Sequence, residues 1–395
     1  MARLLTIGVI TAAMLAFGPP AGAAQTTCFG AKATIIGSGL FGGGPGNDVI
    51  VGSAGVDVIS GNGGNDLICG LGGNDVIVGG DGNDRLDGGA GNDVLRGDAH
   101  STGGDVEGGG NDTLLGGAGD DDMVGDSFTA SGNATGGGND RLEGGPGEDF
   151  LVGDSESDDA GFAKGGGHDR LYGGDGDDVH MTGDSVTFGG NVEGGGNDFM
   201  DGGDGNDGLL GDSAAPFVGT ATGGGNDTLL GGPGTGDNLI GDSESNVAVY
   251  GSGNDVLDLG ADGGSFAVGD HNIGDPDGGG AFGAGHDRIL GGSADEILIG
   301  DSSVADATST VAGNDVIDGR GGADSLFGDN VTFLADATAG TAGGSDTLRS
   351  GAGADKLFGG PDNDVLDGGP DTDGCDGEAG TADVAVRCES IVGIP

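Results

Sequence analysis

The sequence has no tryptophan, and only 2 tyrosines and 14 phenylalanines stand among its 395 residues. A core packed around large aromatic rings is excluded. Positive charge is scarce as well: 12 Lys and Arg face 66 Asp and Glu, a net charge of −54. Phosphate recognition rests on clustered Lys and Arg, so a nucleic-acid partner is excluded. A chain this one-sided repels itself and condenses only when cations neutralise it. Long apolar runs are missing. Leu4 to Phe17 is apolar but falls short of the ~20 residues that a membrane-spanning helix needs. Catalytic signatures are missing too. Neither His-Glu-x-x-His nor Gly-x-Ser-x-Gly occurs, and the five His, at 100, 168, 180, 271 and 286, are scattered. No non-repetitive segment is long enough for a catalytic domain.

Glycine, by contrast, supplies 102 residues. Without the three-residue collagen period, that much glycine signals disorder or a specialised repeat. Residues 72 to 89 read GGNDVIVGGDGNDRLDGG, two copies of one nine-residue frame. The frame is Gly-Gly-x-Gly-x-Asp-x-U-x, with U large and apolar. Its Asp falls at Asp48, Asp57, Asp66, Asp75, Asp84 and Asp93. It continues at Asp112, Asp121, Asp140, Asp149, Asp169, Asp178, Asp198, Asp207, Asp227 and Asp237. Asp255, Asp287, Asp315, Asp324, Asp346, Asp355 and Asp364 complete the series. At His180 the frame slips by one residue, which predicts Met181 as the inward residue.

Glycine permits positive φ and tight turns. The x-U-x triplet is a minimal strand whose side chains alternate between faces. Val76 and Val78 flank Ile77, but Arg85 and Asp87 flank Leu86, so only U faces a core. Two turns and two strands make a coil of 18 residues, and stacked coils make two parallel sheets. The Asp residues then form columns with a coil spacing of ~4.8 Å. Such columns are repulsive unless cations lie between the carboxylates. Carboxylate and carbonyl oxygens, with no His or thiol in the column, select Ca²⁺. A lone Asp of this kind would more simply cap its turn; the periodic set argues against that.

On these residues the chain resembles the RTX, or haemolysin-type, calcium-binding repeat family, over roughly residues 43 to 374. The resemblance implies an all-β parallel β-roll, a β-helix solenoid of about a dozen stacked coils. It also implies calcium ions between turns of successive coils, held by the sixth-position Asp and turn carbonyls. Many RTX proteins leave the cell through a dedicated exporter that reads a C-terminal signal. Here Arg3, the apolar run and Ala21-Gly22-Ala23 read instead as a secretory signal peptide over 1–23. The remaining segments are expected as an N-terminal cap at 24–42, a simple β-roll at 43–96, a β-roll with inserts at 97–367 and a C-terminal cap at 368–395.

From Gly97 onward Gly-Asp-Ser, or a near variant, recurs every 28 to 31 residues. Each unit is two nonapeptides plus an insert of roughly ten residues that follows the second, so the inserts are expected as protruding loops along one flank. One lipase family carries its nucleophile in a similar tripeptide. A hydrolase, however, needs one nucleophile with a positioned His, not a periodic array. Asp126, Asp154, Asp184, Asp212, Asp242, Asp301 and Asp329 of this motif form a second ladder. The sequence leaves open whether it ligates calcium or stays solvated.

Four Cys in an exported chain suggest two disulfides. About a dozen coils, on the order of 60 Å, separate the two ends, and a disulfide needs Cα atoms within ~7 Å. The expected pairs are therefore Cys28 with Cys69 and Cys375 with Cys388. One defect is expected in the Asp row of the insert-free flank. There Ser265 and then Glu296 replace Asp, and the U position beside Ser265 is only Ala267. A missing ion and a thin core are predicted at that coil.

The favoured reading is a secreted, non-enzymatic protein that folds on Ca²⁺ outside the cell and serves a structural or binding role. Cell-wall or extracellular polysaccharide is the partner class considered. The alternatives are a secreted enzyme with a site on the insert flank, and an adhesin or surface component.

Overall fold

Ile77, Leu95 and Met123 lie side by side on neighbouring strands of one parallel sheet, although 18 and 28 residues separate them in turn. The computed structural model describes residues 26–159, 161–273, 279–304, 311–332 and 338–394. The expected signal peptide, 1–23, lies outside the described residues. Two parallel sheets of 15 strands each run the length of the chain, and no helix occurs among the described residues. The first sheet takes the strand after each Asp of the series Asp48, Asp66, Asp84, Asp112 and onward, such as Arg85–Ala90. The second takes the strand after the alternate series, such as Val94–Arg96. The architecture is the all-β parallel solenoid expected from the nine-residue frame.

The U residues of both sheets meet in one apolar column. It runs from Ile50 to Cys375 and is closed to solvent throughout. Each fully buried Leu or Ile contributes roughly 1.5–3 kcal/mol. Met181 is the inward residue after the frame slip, and His180 faces out. In the first sheet the residues on either side of U mostly point outward, so their polarity varies. In the second sheet the residue after U is buried as well, as at Val124, Val152, Leu210, Val268 and Ile299, because the inserts cover that face. Val186 and Ala214 of the inserts pack against it, so U is not the only core position there.

The inserts do not protrude as loops. They stack on one another as two further parallel sheets, of nine and seven short strands. Phe128–Thr129, Glu156–Ser157 and Val186–Thr187 belong to the first. Ala134–Thr135, Ala163–Lys164 and Val192–Glu193 belong to the second. Small residues hold them. Thr129, Ser157, Thr187 and Ser245 donate their hydroxyls to Gly104, Gly132, Gly161 and Gly219 carbonyls at 2.8–3.0 Å. Ala163, Val192, Ala221 and Val249 pack beneath as a second, thinner core.

Both ends are stapled as expected. Cys28 is bonded to Cys69 and Cys375 to Cys388, with Cα separations of 5.8 and 6.0 Å. Cys28 lies in a short antiparallel hairpin, Thr27–Cys28 with Ala31–Lys32, that folds over the first coils. The parallel sheets also run on into the expected C-terminal cap, through Gly374–Asp376 and Ser390–Val392.

Candidate metal centre

The expected Asp residues fall into two columns, one on each flank. On the flank that carries the inserts, Asp48, Asp66, Asp84, Asp112, Asp140, Asp169, Asp198, Asp227, Asp255, Asp287, Asp315, Asp346 and Asp364 stack in succession. Each backbone N–H donates to Oδ1 of the next Asp in the column, at 2.6–2.9 Å. On the opposite flank Asp57, Asp75, Asp93, Asp121, Asp149, Asp178, Asp207 and Asp237 do the same at 2.7–2.9 Å. The bonds fix each carboxylate across the seam between two coils. All of these residues are buried except Asp48, which is partly exposed.

One oxygen is thus used and the other is not. From Asp66 onward, Oδ2 of every Asp in both columns is buried and has no hydrogen-bond partner. Glycine makes room for it: a Cβ on Gly116 would lie 2.3 Å from Asp121 Oδ2, and one on Gly173 would lie 2.2 Å from Asp178 Oδ2. Burial without a counter-charge raises the pKa values. Burial first, and then the like charge of Asp140, pushes Asp112 up to about 9. Burial does most of the same for Asp121, at about 8, and for Asp84 and Asp178, at about 7. Rows of buried, unpartnered carboxylate oxygens with no His or thiol among them fit a hard divalent cation such as Ca²⁺.

The frame-based reading missed two members. Asp373 and Asp383 extend the columns: Asp355 N–H donates to Asp373 Oδ1 at 3.0 Å and Asp364 N–H to Asp383 Oδ1 at 3.1 Å. Asp373 follows Asp364 by nine residues, so the period itself was the available signal.

The Gly-Asp-Ser ladder is not solvated. Asp126, Asp154, Asp184, Asp212, Asp242, Asp301 and Asp329 are fully buried, and Asp98 and Asp270 of the near variants join them. The motif's serines are buried as well; Ser127 and Ser155 donate to the carbonyls of Gly108 and Gly136 at 3.3 Å. At the Gly-Asp-His variant, Ser243 N–H donates to His271 Nδ1 at 3.2 Å, and His271 Nε2 lies 3.0 Å from Gly251 O. That pairing makes His271 neutral, and its burial depresses its pKa.

The Asp row breaks at Ser265, and neighbouring side chains fill the gap. Asp237 has no Asp partner in the next coil, where Ser265 N–H donates instead to Asp237 O at 2.9 Å. The longer Glu296 reaches toward that coil, and its Oε1 accepts from Gly264 at 3.2 Å and Gly292 at 2.8 Å. The core there is not thin. Leu259 stands where the neighbouring coils have Gly231 and Gly291, and it is fully buried beside Ala267.

The family model of the RTX calcium-binding nonapeptide repeat matches ten stretches between residues 42 and 374, together more than half of the chain. The chain belongs to the RTX calcium-binding nonapeptide repeat family. The RTX match passes over residues 237–282, the stretch that holds Leu259, Ser265 and Ala267. No curated protein matches the chain.

Proposed function

We propose that this RTX protein is exported, folds on binding Ca²⁺ outside the cell, and then serves as a non-enzymatic rod with a structural or binding role. The observation that carries this reading is the pair of buried columns with unpartnered Oδ2 atoms. Without cations, those carboxylates repel one another and oppose folding; with Ca²⁺ between coils, binding free energy becomes folding free energy. Low cytoplasmic calcium would keep the chain extended until export. The N-terminal segment 1–23 supports the export step. Circular dichroism at neutral pH tests it. The chain lacking residues 1–23 should be coil-like in chelator and strand-rich in millimolar Ca²⁺. Mg²⁺ should substitute poorly, because it demands tight octahedral geometry. A strand-rich spectrum in excess chelator at neutral pH would sink the reading.

A binding role is favoured over a purely structural one by the outer face of the insert sheets. Stacked glycines there floor a shallow groove along the rod, edged by Thr135, Lys164, Glu193 and Thr222. In the same column Tyr250 and Phe282 stack at 5.0 Å and are both exposed. Exposed aromatic faces beside polar side chains suit an extracellular polysaccharide. A glycan array probed with the calcium-loaded chain, with Tyr250→Ala as control, tests this, and turnover of the bound glycans would favour the enzyme alternative.

A further inference from the structure

The insert flank differs from its opposite in one respect that the nonapeptide frame does not explain. Each coil there brings two buried carboxylates, one from the frame and one from Gly-Asp-Ser. They interleave. Asp98, Asp112 and Asp126 bring carboxylate oxygens within 4.8 Å of one another, and Asp126, Asp140 and Asp154 do so in the next coil. The pattern continues without a break to Asp212, Asp227 and Asp242. Every residue of this run is at most 2% exposed.

The clusters are aimed as well as crowded. Oδ1 of Asp126, Asp154, Asp184 and Asp212 accepts the N–H of Gly110, Gly138, Gly167 and Gly196 at 3.0–3.3 Å. Oδ2 of the same residues, and of the frame Asp residues between them, is buried and has no partner. Each of these carboxylates is therefore tied at one oxygen and presents the other to the cluster, whereas Asp98 and Asp242, at the two ends of the run, have both oxygens buried without a partner. The run ends at Asp242, whose Oδ2 lies 4.0 Å from the ring of His271. Charge count agrees with occupation. Two carboxylates per coil match one divalent cation per coil, whereas the opposite flank brings one carboxylate per coil.

We propose that the Gly-Asp-Ser carboxylates build a second class of divalent-cation site, one for each cluster from Asp98 to Asp242, distinct from the turn sites of the opposite flank. Each site offers three carboxylates, of which the three inner sites share two with their neighbours and the two end sites share one. All donors are hard oxygens, which suits Ca²⁺. The inserts then have a defined part: they bury the additional carboxylate and shut water out of the cluster. This assignment rests on the calcium-binding reading above.

Bound calcium counted on the full chain, by equilibrium dialysis with strand content followed in parallel, tests it. Asp184 belongs to two clusters, so Asp184→Asn should lower the count by two ions at a free calcium level that saturates the parent. Asp178→Asn, on the opposite flank, should leave that class of ion untouched. Should Asp184→Asn fail to fold, Asp98→Asn replaces it, with an expected loss of one ion, since Asp98 belongs to a single cluster. Unchanged counts in a folded Asp184→Asn or Asp98→Asn, or loss of the same class from Asp178→Asn, would overturn the assignment and leave the calcium reading intact. A parent chain that binds no calcium at all would instead overturn that reading.

Discussion

Leu259 lies so close over Gly264 that a Cβ on Gly264 would stand 2.5 Å from Leu259 Cδ2. In the coil below, the glycine equivalent to Leu259 is Gly231, and a Cβ there would stand 2.6 Å from Asp237 Oδ2. The same is true one coil above, where Gly291 faces Glu296 Oε2. A side chain at this position and a carboxylate at the sixth position thus compete for one space. At Ser265 the carboxylate is gone and Leu259 has taken its place, which also makes up for the small Ala267.

That exclusion yields a paired test. Ser265→Asp alone should destabilise the calcium-loaded rod, because it presses a carboxylate against a buried leucine; an unpaired buried charge costs several kcal/mol. Ser265→Asp together with Leu259→Gly and Ala267→Leu restores the frame and should add bound calcium. Leu259→Ala alone should cost about 2–5 kcal/mol by cavity formation. It should also speed hydrogen exchange in Asn238–Ile240 and Ile297–Ile299 on either side. If Ser265→Asp alone is as stable as the parent, the two positions do not exclude each other.

Acid should substitute in part for calcium. Burial holds Asp84 and Asp178 up to about 7, Asp121 up to about 8 and Asp112 up to about 9. In the unfolded chain these groups ionise near 3.8. Below that value both states are protonated and nothing is lost. Between about 4 and about 9 the folded, calcium-free chain keeps protons that the unfolded chain releases. Calcium-free stability therefore falls as pH rises through this window. In chelator, circular dichroism should show more strand at pH about 4 than at pH about 8, and calcium should restore it at the higher pH with release of protons. More strand at pH 8 than at pH 4 in chelator would contradict the burial of these columns.

The legible part of the fold was the part that repeats with period nine. U and Asp carry large, unlike physical jobs, so their positions alone place the two main sheets and both columns, down to the slip that turns Met181 inward. The disulfides followed from end-to-end distance. The inserts were not legible because their strands are two or three residues long, too short for an alternation to appear. Their pairing is dictated by the neighbouring coil rather than by their own residues. The burial of Asp126 and its relatives depends on that pairing and was hidden with it. Asp98 and Asp270 belong to the same ladder, with Ala99 and His271 at the serine position just as Asn330 follows Asp329, so Gly-Asp rather than the whole tripeptide marks its members.

The two disulfides should matter at the ends and little elsewhere. Non-reducing peptide mapping should join Cys28 to Cys69 and Cys375 to Cys388. Each closes a loop, of 41 and 13 residues in sequence separation, and removal of such a bridge typically costs about 2–4 kcal/mol. Because a solenoid couples each coil mainly to its neighbours, reduction in saturating calcium should raise hydrogen exchange near both termini and leave residues 140–240 protected. A peptide linking an N-terminal to a C-terminal cysteine would be incompatible with the extended rod.

The glycine of Gly-Asp-Ser sets how closely the coils approach on the insert flank. A Cβ on Gly125 or Gly153 would stand 1.7 Å from the carbonyl oxygen of the equivalent glycine one coil on, and one on Gly183 would stand 1.8 Å away. These oxygens belong to peptide groups whose N–H, from Asp154, Asp184 and Asp212, donates to the next coil at 2.9–3.0 Å, so they cannot swing aside without breaking those bonds. Gly153→Ala must therefore spread two coils, which lengthens the bonds Gly153 N–H to Thr182 O and Asp154 N–H to Asp184 O, both 2.9 Å. It should lower stability by more than the ~1 kcal/mol or less that separates Ala from Gly where no clash occurs. Gly55 is the control. Nothing lies within 4 Å of a Cβ there, and its φ is not positive, so Gly55→Ala should be neutral or slightly stabilising. Calcium-saturated thermal unfolding of both variants decides it: Gly153→Ala should melt well below the parent and Gly55→Ala at or above it. Equal melting of the two would mean that coil spacing on this flank is not fixed by the glycine column.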